Sequence, residues 1–167
     1  SALAQVYGAL GDTAPDLDTP ARLAGFFAAI QELAAAERLL AYHDRSDGGL
    51  AACLAEMCFA GHVGVDIQLA ALDSDAVAAL FAEELGAVVQ VDVDDVETTL
   101  ASLREAGVAA TEIGRVTADD RLTIRHGDGV VFAADRIDLH RRWAAVSHAM
   151  AARRDAPAAA DAEYDTL

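Results

Sequence analysis

Hydrophobic residues recur along the chain at two spacings, and each spacing predicts a different element. Between Leu23 and Ala34 the apolar side chains return every three or four residues, which is typical of an amphipathic helix. Over residues 63–69 apolar and polar or small residues alternate, which indicates a half-buried strand. The two spacings follow one another along the chain and divide it into short helices and strands.

The order of these elements predicts the fold class. Helices are expected from Thr19 onwards, over 48–60, from Asp73 or Ser74 to Leu85, from Asp94 to about 106, and over 137–154. Strands are expected over 39–42, 63–69, 87–93, 109–117, 121–125 and 130–134. Helices separate the strands in the first two thirds, and three strands follow one another directly in the last third. The sequence therefore predicts an α+β (α/β sandwich) fold, with a mixed β-sheet and helices packed on it.

Local signals place several boundaries. Thr19 is a suitable N-cap and Pro20 fits the first position of a helix. Asp94 and Glu97 have the spacing of a capping box. The tetrapeptide at 126–129, His-Gly-Asp-Gly, predicts a hairpin between the last two strands. Residues 156–167 are small and acidic, and we expect a disordered tail or linker after a single domain at 1–155.

Charge excludes two classes of partner. The chain has 28 acidic and 12 basic residues, every basic residue is arginine, and the formal charge is −16. Nucleic acids and anionic membranes require clustered positive charge, so we expect neither as a partner. No apolar run reaches about 18 residues and the first residues carry no basic segment, so neither a membrane span nor a secretory signal is expected.

The two cysteines carry a weak signal. Cys53 and Cys58 lie in an apolar helical pattern, about one and a half turns apart and on different faces. We interpret them as small buried thiols in a reducing compartment. A metal pair or a nucleophile is the alternative.

The segment Tyr42–Leu50 contains the residues best suited to chemistry. It combines a strand end, a polar turn, two glycines and a helix start. Helix N-termini favour anions, and glycine lets a ligand approach the backbone closely. Asp44 could hold Mg²⁺, which usually takes one or two carboxylates together with phosphate oxygens and waters, and Ser46 could donate its hydroxyl to a phosphate. The alternative interpretation is a helix cap at Ser46 or Asp47, with the glycines serving a tight turn.

This segment resembles a known family. Residues 39–50, continued by Ala-Glu-Met at 55–57 and Phe-Ala-Gly-His at 59–62, are similar to the large form of phosphoribosylformylglycinamidine synthase. Further likeness lies at residues 1–5, 25–27 and 83–91 and at the tryptophan of the last helix. The resemblance covers about residues 1–155 and begins within a family motif.

The resemblance implies a fold, an activity and a site. The fold would be the C-terminal half of the second aminoimidazole-ribonucleotide-synthetase-like (PurM-like) copy of that enzyme, truncated at its N-terminal edge. The enzyme is a ligase of purine biosynthesis that uses ATP and glutamine to make formylglycinamidine ribonucleotide. Asp44 matches a magnesium ligand, and Ser46 matches a nucleotide contact, of an auxiliary site that holds ADP with Mg²⁺. No catalytic residue is expected in this chain, and Cys53 and Cys58 do not correspond to the glutaminase nucleophile.

The resemblance also implies partners. We expect the chain to work in the cytoplasm with the rest of the enzyme, namely its N-terminal synthetase halves and its glutaminase domain. Alone it would be inactive, and an uncovered apolar face could drive self-association. The alternatives are another member of the aminoimidazole ribonucleotide synthetase superfamily and a stand-alone, non-catalytic nucleotide-binding module.

Overall fold

The secondary structure consists of seven helices and six strands over the residues that the computed structural model describes, 1–11, 14–17 and 19–167. In chain order they are α1 (Ala2–Val6), α2 (Pro20–Ala35), β1 (Ala41–Asp44), α3 (Gly49–Gly61), β2 (Gly64–Gln68), α4 (Ala76–Phe81), β3 (Ala87–Gln90), α5 (Val96–Glu105), β4 (Gly114–Thr117), β5 (Arg121–His126), β6 (Gly129–Asp135), α6 (Arg136–Arg154) and α7 (Pro157–Tyr164). A 3₁₀ turn at Val93–Asp95 precedes α5. The chain forms two compact units, residues 1–54 with 70–113 and residues 55–69 with 114–167.

Helix packing and a short ribbon organise the first unit. Strands β1 and β3 pair antiparallel, from Ala41 opposite Gln90 to Asp44 opposite Ala87. Helices α2 and α5 pack through three buried side chains, Ala29, Leu33 and Leu103. Partly buried residues from the segments around them close this core: Leu39, Ala106, Val108 and Ala110. Burial of these apolar side chains is the main stabilising contribution in this unit.

Helix α2 begins where the sequence predicts and approaches α5 closely. Thr19 has the extended backbone of an N-cap and Pro20 occupies the first turn. Within α2, a Cβ added at Gly25 would collide with the carbonyl oxygen of Ala106. Only a residue without a side chain fits at this crossing.

A four-stranded mixed sheet forms the second unit, in the order β4-β2-β5-β6. Strand β2 pairs parallel with β5 and antiparallel with β4, and β5 pairs antiparallel with β6. Val65 lies opposite Leu122 and Ile67 opposite Ile124, and all four side chains are buried. Partners in register share a face of the sheet, so these four residues form one side of the core. The predicted α+β fold class is confirmed, as is the hairpin that joins His126 to Gly129.

Two helix starts and one helix end differ from the expectation. Helix α4 is capped by Asp75, which accepts from Val77 N at 2.8 Å, and not by Asp73 or Ser74. It ends at Phe81 and not at Leu85, because residues 83–86 leave the helix to bond with the loop after β1. The capping box at Asp94 is also wrong: Asp92 caps a 3₁₀ turn there, and α5 begins at Val96.

The strand expected over 109–117 is shorter than predicted. Only Gly114–Thr117 pairs with β2, while Val108 and Ala110 pack against the α2–α5 core. Residues 108–110 therefore serve one unit and residues 114–117 the other. The segment 108–117 is therefore divided between the α2–α5 core and the four-stranded sheet.

The tail is ordered, in contrast to the disordered segment expected from composition. Pro157–Tyr164 forms α7, with Ala160 buried. The Tyr164 hydroxyl donates to the Arg141 carbonyl at 2.7 Å, and His148 Nε2 lies 2.9 Å from Asp161 Oδ1. Asp161 and Tyr164 are three residues apart and therefore share the helix face that contacts α6. Composition alone did not reveal that face.

Replacing Gly25 by alanine tests the close approach of α2 to α5. Alanine favours a helix interior over glycine by about 1 kcal/mol, so without the contact the change would stabilise the protein. We expect instead a net loss of about 1–3 kcal/mol, because the new methyl group overpacks the crossing. Urea unfolding followed by circular dichroism measures the difference.

The reverse change at an exposed position of the same helix is the matched control. Ala28→Gly should lower stability by about 1 kcal/mol through helix propensity alone. If Gly25→Ala proved as stable as the unchanged protein or more so, the proposed contact with the Ala106 carbonyl would be wrong.

Candidate functional site

The loop between β1 and α3 is fixed by hydrogen bonds from the backbone and the side chain of Arg45 to the segment that precedes β3. Arg45 N donates to the Gly86 carbonyl at 2.8 Å, and Arg45 Nε donates to the Glu84 carbonyl at 2.8 Å. The bond from Arg45 N extends the β1–β3 pairing past Asp44, where the strand ends, and the bond from Arg45 Nε adds a side-chain contact to the same segment. The loop therefore leaves the ribbon in a defined direction.

Two consecutive glycines turn the chain from the loop into α3. Gly49 N donates to the Ser46 carbonyl at 2.9 Å, which closes a four-residue turn. Gly48 and Gly49 have φ values of +83° and +66°, a region that L side chains rarely adopt. A Cβ on Gly49 would also lie 2.6 Å from the Leu80 carbonyl oxygen. The sequence therefore needs glycine here for both conformation and space.

The carboxylate of Glu83 occupies the start of α3. Its Oε1 accepts from Gly48 N at 3.0 Å and from Ala2 N at 2.6 Å. These two backbone bonds, first that of Ala2 and then that of Gly48, lower the pKa of Glu83 from its ordinary value. Glu83 thus places a negative charge at the helix N-terminus, where the helix dipole favours one.

Asp44 and Ser46 both lie exposed on this loop. Asp44 is the last residue of β1, and Ser46 opens the turn two residues later. The structure therefore places the two predicted ligand residues on one short, accessible segment. Their roles as metal and nucleotide ligands remain predictions.

Asp44 presents one exposed carboxylate on the loop. Over residues 1–11, 14–17 and 19–167, no group of three or more His, Cys, Asp or Glu side chains could hold a metal ion. Magnesium is often held by only one or two carboxylates together with phosphate oxygens and waters. Asp44 is therefore compatible with a shared site to which this chain contributes a single carboxylate.

The residues behind the loop are suited to packing. Cys53 is buried, and its Sγ lies 3.8 Å from the His43 carbonyl. His43 Nδ1 lies 2.7 Å from the Asp44 carbonyl oxygen. Tyr42 is partly exposed, and its partial burial, followed by the charges of Asp44 and Cys53, raises its pKa. These contacts hold the strand end, while Asp44 and Ser46 are exposed.

The second cysteine is not activated. In the other unit Cys58 is almost fully buried, and burial raises the pKa of its thiol to about 11. A nucleophilic cysteine requires the thiolate, which this value disfavours at neutral pH. The interpretation of Cys58 as a buried structural thiol agrees with this geometry.

Sequence reasoning did not assign Glu83 to the site. Glu83 and Gly48 are 35 residues apart, and neither neighbourhood contains a motif that links them. The Glu-Glu-Leu-Gly run at 83–86 contributes to the family likeness, but it does not indicate a contact with Gly48.

Similar proteins share this fold. The family model described as "AIR synthase related protein, C-terminal domain" matches residues 1–127. Phosphoribosylformylglycinamidine synthase II of Thermotoga maritima aligns with a TM-score of 0.67 and 16% identity, over 74% of this chain and 22% of that one. The same protein, PurL, complexed with ATP aligns at 0.63 and 16% identity, over 69% of this chain and 21% of that one. The chain thus spans about a fifth of the length of the PurL chains that it matches.

A more distant likeness connects the chain to another assembly. A structure of a HypE–HypF complex aligns with a TM-score of 0.53 and 20% identity, over 80% of this chain and 46% of that one. At these identities the likenesses show the fold, and they confirm the PurM-like C-terminal fold expected from the sequence.

The titration of Glu83 tests its hydrogen bonds. We expect its carboxyl group to titrate below 4.5, the ordinary value, because two backbone N–H groups stabilise the charged form. The stabilising contribution is then present above about 4.5 and is lost as the pH falls through the lower, folded-state pKa. Carboxyl chemical shifts followed by ¹³C NMR give the midpoint.

Glu83→Gln removes the negative charge of the side chain while keeping its size and shape, so it tests the contribution of the charge to stability. The glutamine variant should lose stability relative to the unchanged protein at pH 7, and the difference should narrow as the pH is lowered below 4.5. Glu84→Gln, an exposed neighbour, should show no such pH-dependent gap. A Glu83 midpoint at or above 4.5 would contradict the two bonds.

Proposed function

Because the chain belongs to the family of AIR synthase related protein C-terminal domains, we propose that it is one part of a phosphoribosylformylglycinamidine synthase. That enzyme is an ATP- and glutamine-dependent ligase of purine biosynthesis. The loop from Tyr42 to Leu50 carries the proposal, because its residues match that family and its geometry presents Asp44 and Ser46 together. The structures of Thermotoga maritima PurL complexed with ATP and with ADP support a nucleotide as the ligand.

We propose that Asp44 and Ser46 contribute to an auxiliary Mg²⁺–nucleotide site. When bound, the metal would neutralise phosphate charge. Asp44 would supply one carboxylate oxygen, and the Ser46 hydroxyl would donate to a phosphate oxygen. The positive-φ turn at Gly48 and Gly49 keeps side chains away from the approach to the loop. Other ligands would come from the remainder of the enzyme, since Asp44 supplies only part of a metal shell.

The proposal extends to organisation and partners. Residues 1–155 would form the PurM-like C-terminal domain, and the N-terminal synthetase halves and the glutaminase domain would be its partners in the cytoplasm. No helix in the described part of the chain is long and apolar enough to cross a membrane. Leu23 and Phe27 are exposed on α2, and such apolar residues could drive self-association of the isolated chain.

A second candidate is another enzyme of the same superfamily. The likeness to the HypE–HypF structure covers 80% of this chain, which is more than any of the PurL structures described above covers. The run from Tyr42 to Leu50 favours the first candidate, because its residues on both sides of the glycine pair match the phosphoribosylformylglycinamidine synthases.

Paramagnetic manganese can locate the proposed metal ligand. Mn²⁺ replaces Mg²⁺ at oxygen sites and broadens nearby amide resonances. We expect Mn²⁺ with ADP to broaden the amides of residues 43–50, and Asp44→Asn to remove this broadening. Asp128→Asn, at an exposed acid of the β5–β6 hairpin, is the matched control and should leave it unchanged. Broadening around the loop that survives Asp44→Asn would contradict the assignment of Asp44.

The isolated chain should bind nucleotide weakly and catalyse neither half of the reaction. One carboxylate cannot complete the magnesium shell, so calorimetry should show Mg·ADP binding weaker than micromolar, and assays should show no amidine synthesis and no glutaminase activity. Micromolar or tighter binding that Asp44→Ala abolishes would show that the site is complete in this chain. Turnover above background would show that the chain is not an inactive part.

A further inference from the structure

Helix α6 carries a stripe of apolar side chains on its solvent-facing side. Trp143, Val146 and Met150 are 60%, 70% and 67% exposed. Their spacing of three and four residues, which continues back to Leu139, is that of a helix-pairing seam. We refer to Trp143, Val146 and Met150 as the α6 stripe. Large apolar residues exposed in one continuous row mark an interaction surface more often than isolated ones do.

The surface beside the α6 stripe is shallow and concave. The small side chains of Ala145 and Ala149 would let a second helix approach closely. Together with the stripe and one arginine they line an open hollow: Ala145, Val146, Ala149, Met150 and Arg153. Small residues next to large ones provide the holes into which a partner's side chains fit.

Trp143 is held in a fixed orientation. Its Nε1 donates to Glu56 Oε1 at 3.0 Å, and its ring lies 5.9 Å, centroid to centroid, from both Phe59 and His140. The side chain therefore has little rotational freedom to lose on binding, while most of its surface remains exposed. Fixed tryptophans of this kind are typical binding hot spots.

Positive charge borders the α6 stripe. Helix α6 contains five of the chain's 12 arginines and one acidic residue. Arg142 and Arg153, three helical turns apart, lie along the same flank and are exposed. Within the part of the chain that the structure describes, neither forms an ion pair, whereas Arg154 is paired with Asp155 at 2.8 Å. A local basic surface thus stands out on a chain of formal charge −16.

We propose that the α6 stripe binds an acidic amphipathic helix of another polypeptide segment. Apolar side chains of that helix would cover Trp143, Val146 and Met150, and its acidic flank would face Arg142 and Arg153. Charge complementarity selects this occupant. A second copy of the chain is disfavoured, because antiparallel pairing about the middle of the stripe brings the Arg142 end of one copy towards the Arg153 end of the other.

Two matched synthetic peptides test the proposal on the 167-residue chain. Each spans about three heptads, lacks tryptophan and carries leucine along one seam. One has glutamate on both flanks and the other has lysine. Trp143 is the chain's single tryptophan, so its emission reports contact at the α6 stripe directly. The net charge of the chain favours the lysine peptide, so a preference for the glutamate peptide must come from the local arginines.

We expect the glutamate peptide to shift Trp143 emission to the blue and to bind at least about tenfold more tightly than the lysine peptide. Val146→Asp should weaken this binding by at least about tenfold. Arg142→Glu combined with Arg153→Glu should reverse the preference between the peptides, and Arg104→Glu, an exposed arginine of α5, should not. Circular dichroism confirms that each variant is folded.

Three results would overturn the proposal. The first is equal binding of the two peptides, or no binding of either. The second is a preference for the lysine peptide in the Trp143 signal. The third is a dimer in sedimentation that Val146→Asp dissociates, which would assign the stripe to a second copy of the chain.

Discussion

The hydrogen bonds accepted by Glu83 hold the candidate loop in its conformation. One carboxylate oxygen joins the backbone of α1 to the backbone at the start of α3. The same stretch of chain supplies the carbonyls of Glu84 and Gly86 that fix Arg45. Segments that are distant in sequence therefore share one anchor, and the positions of Asp44 and Ser46 depend on it. A charged group makes stronger hydrogen bonds to backbone N–H than a neutral one, which suits it to this task.

Glu83 also changes the chemical interpretation of the loop. The sequence suggested a helix N-terminus open to phosphate, but the Gly48 N–H is already bonded to a carboxylate. A bare anion would meet that negative charge. A metal-bound phosphate would be repelled less by Glu83, because the cation offsets the charge of the phosphate. This charge argument supports the proposal that a nucleotide would bind at the loop together with its metal ion.

Several features set by neighbouring residues were predicted, although the caps of α4 and α5 were not. Thr19 and Pro20 start α2, and glycines at 127 and 129 form the hairpin, because each signal acts within a few residues. The glycine pair at 48 and 49 was also identified as a turn. Features set by distant contacts were missed: the early end of α4 follows from bonds to the loop after β1, and α7 is ordered through Asp161 and Tyr164. Asp44 and Ser46 were proposed as ligands from a local pattern and a family resemblance, and their roles stay predictions, whereas Glu83 depends on a contact that no local pattern contains.

The parallel pairing of β2 and β5 has a consequence for how the chain acquires its structure. Val65 lies beside Leu122, and most of the intervening residues belong to the other compact unit. During synthesis, β2 has no partner strand until β4 and β5 have emerged. The backbone hydrogen-bonding groups of both its edges therefore stay unpaired with other strands while residues 70–113 are made. Folding of those residues together with residues 1–54 as one compact unit shortens the effective loop that must close, and this lowers the entropic cost of the pairing. Because residues 70–113 lie between the two segments of the second unit, folding of the first unit helps the second unit to form.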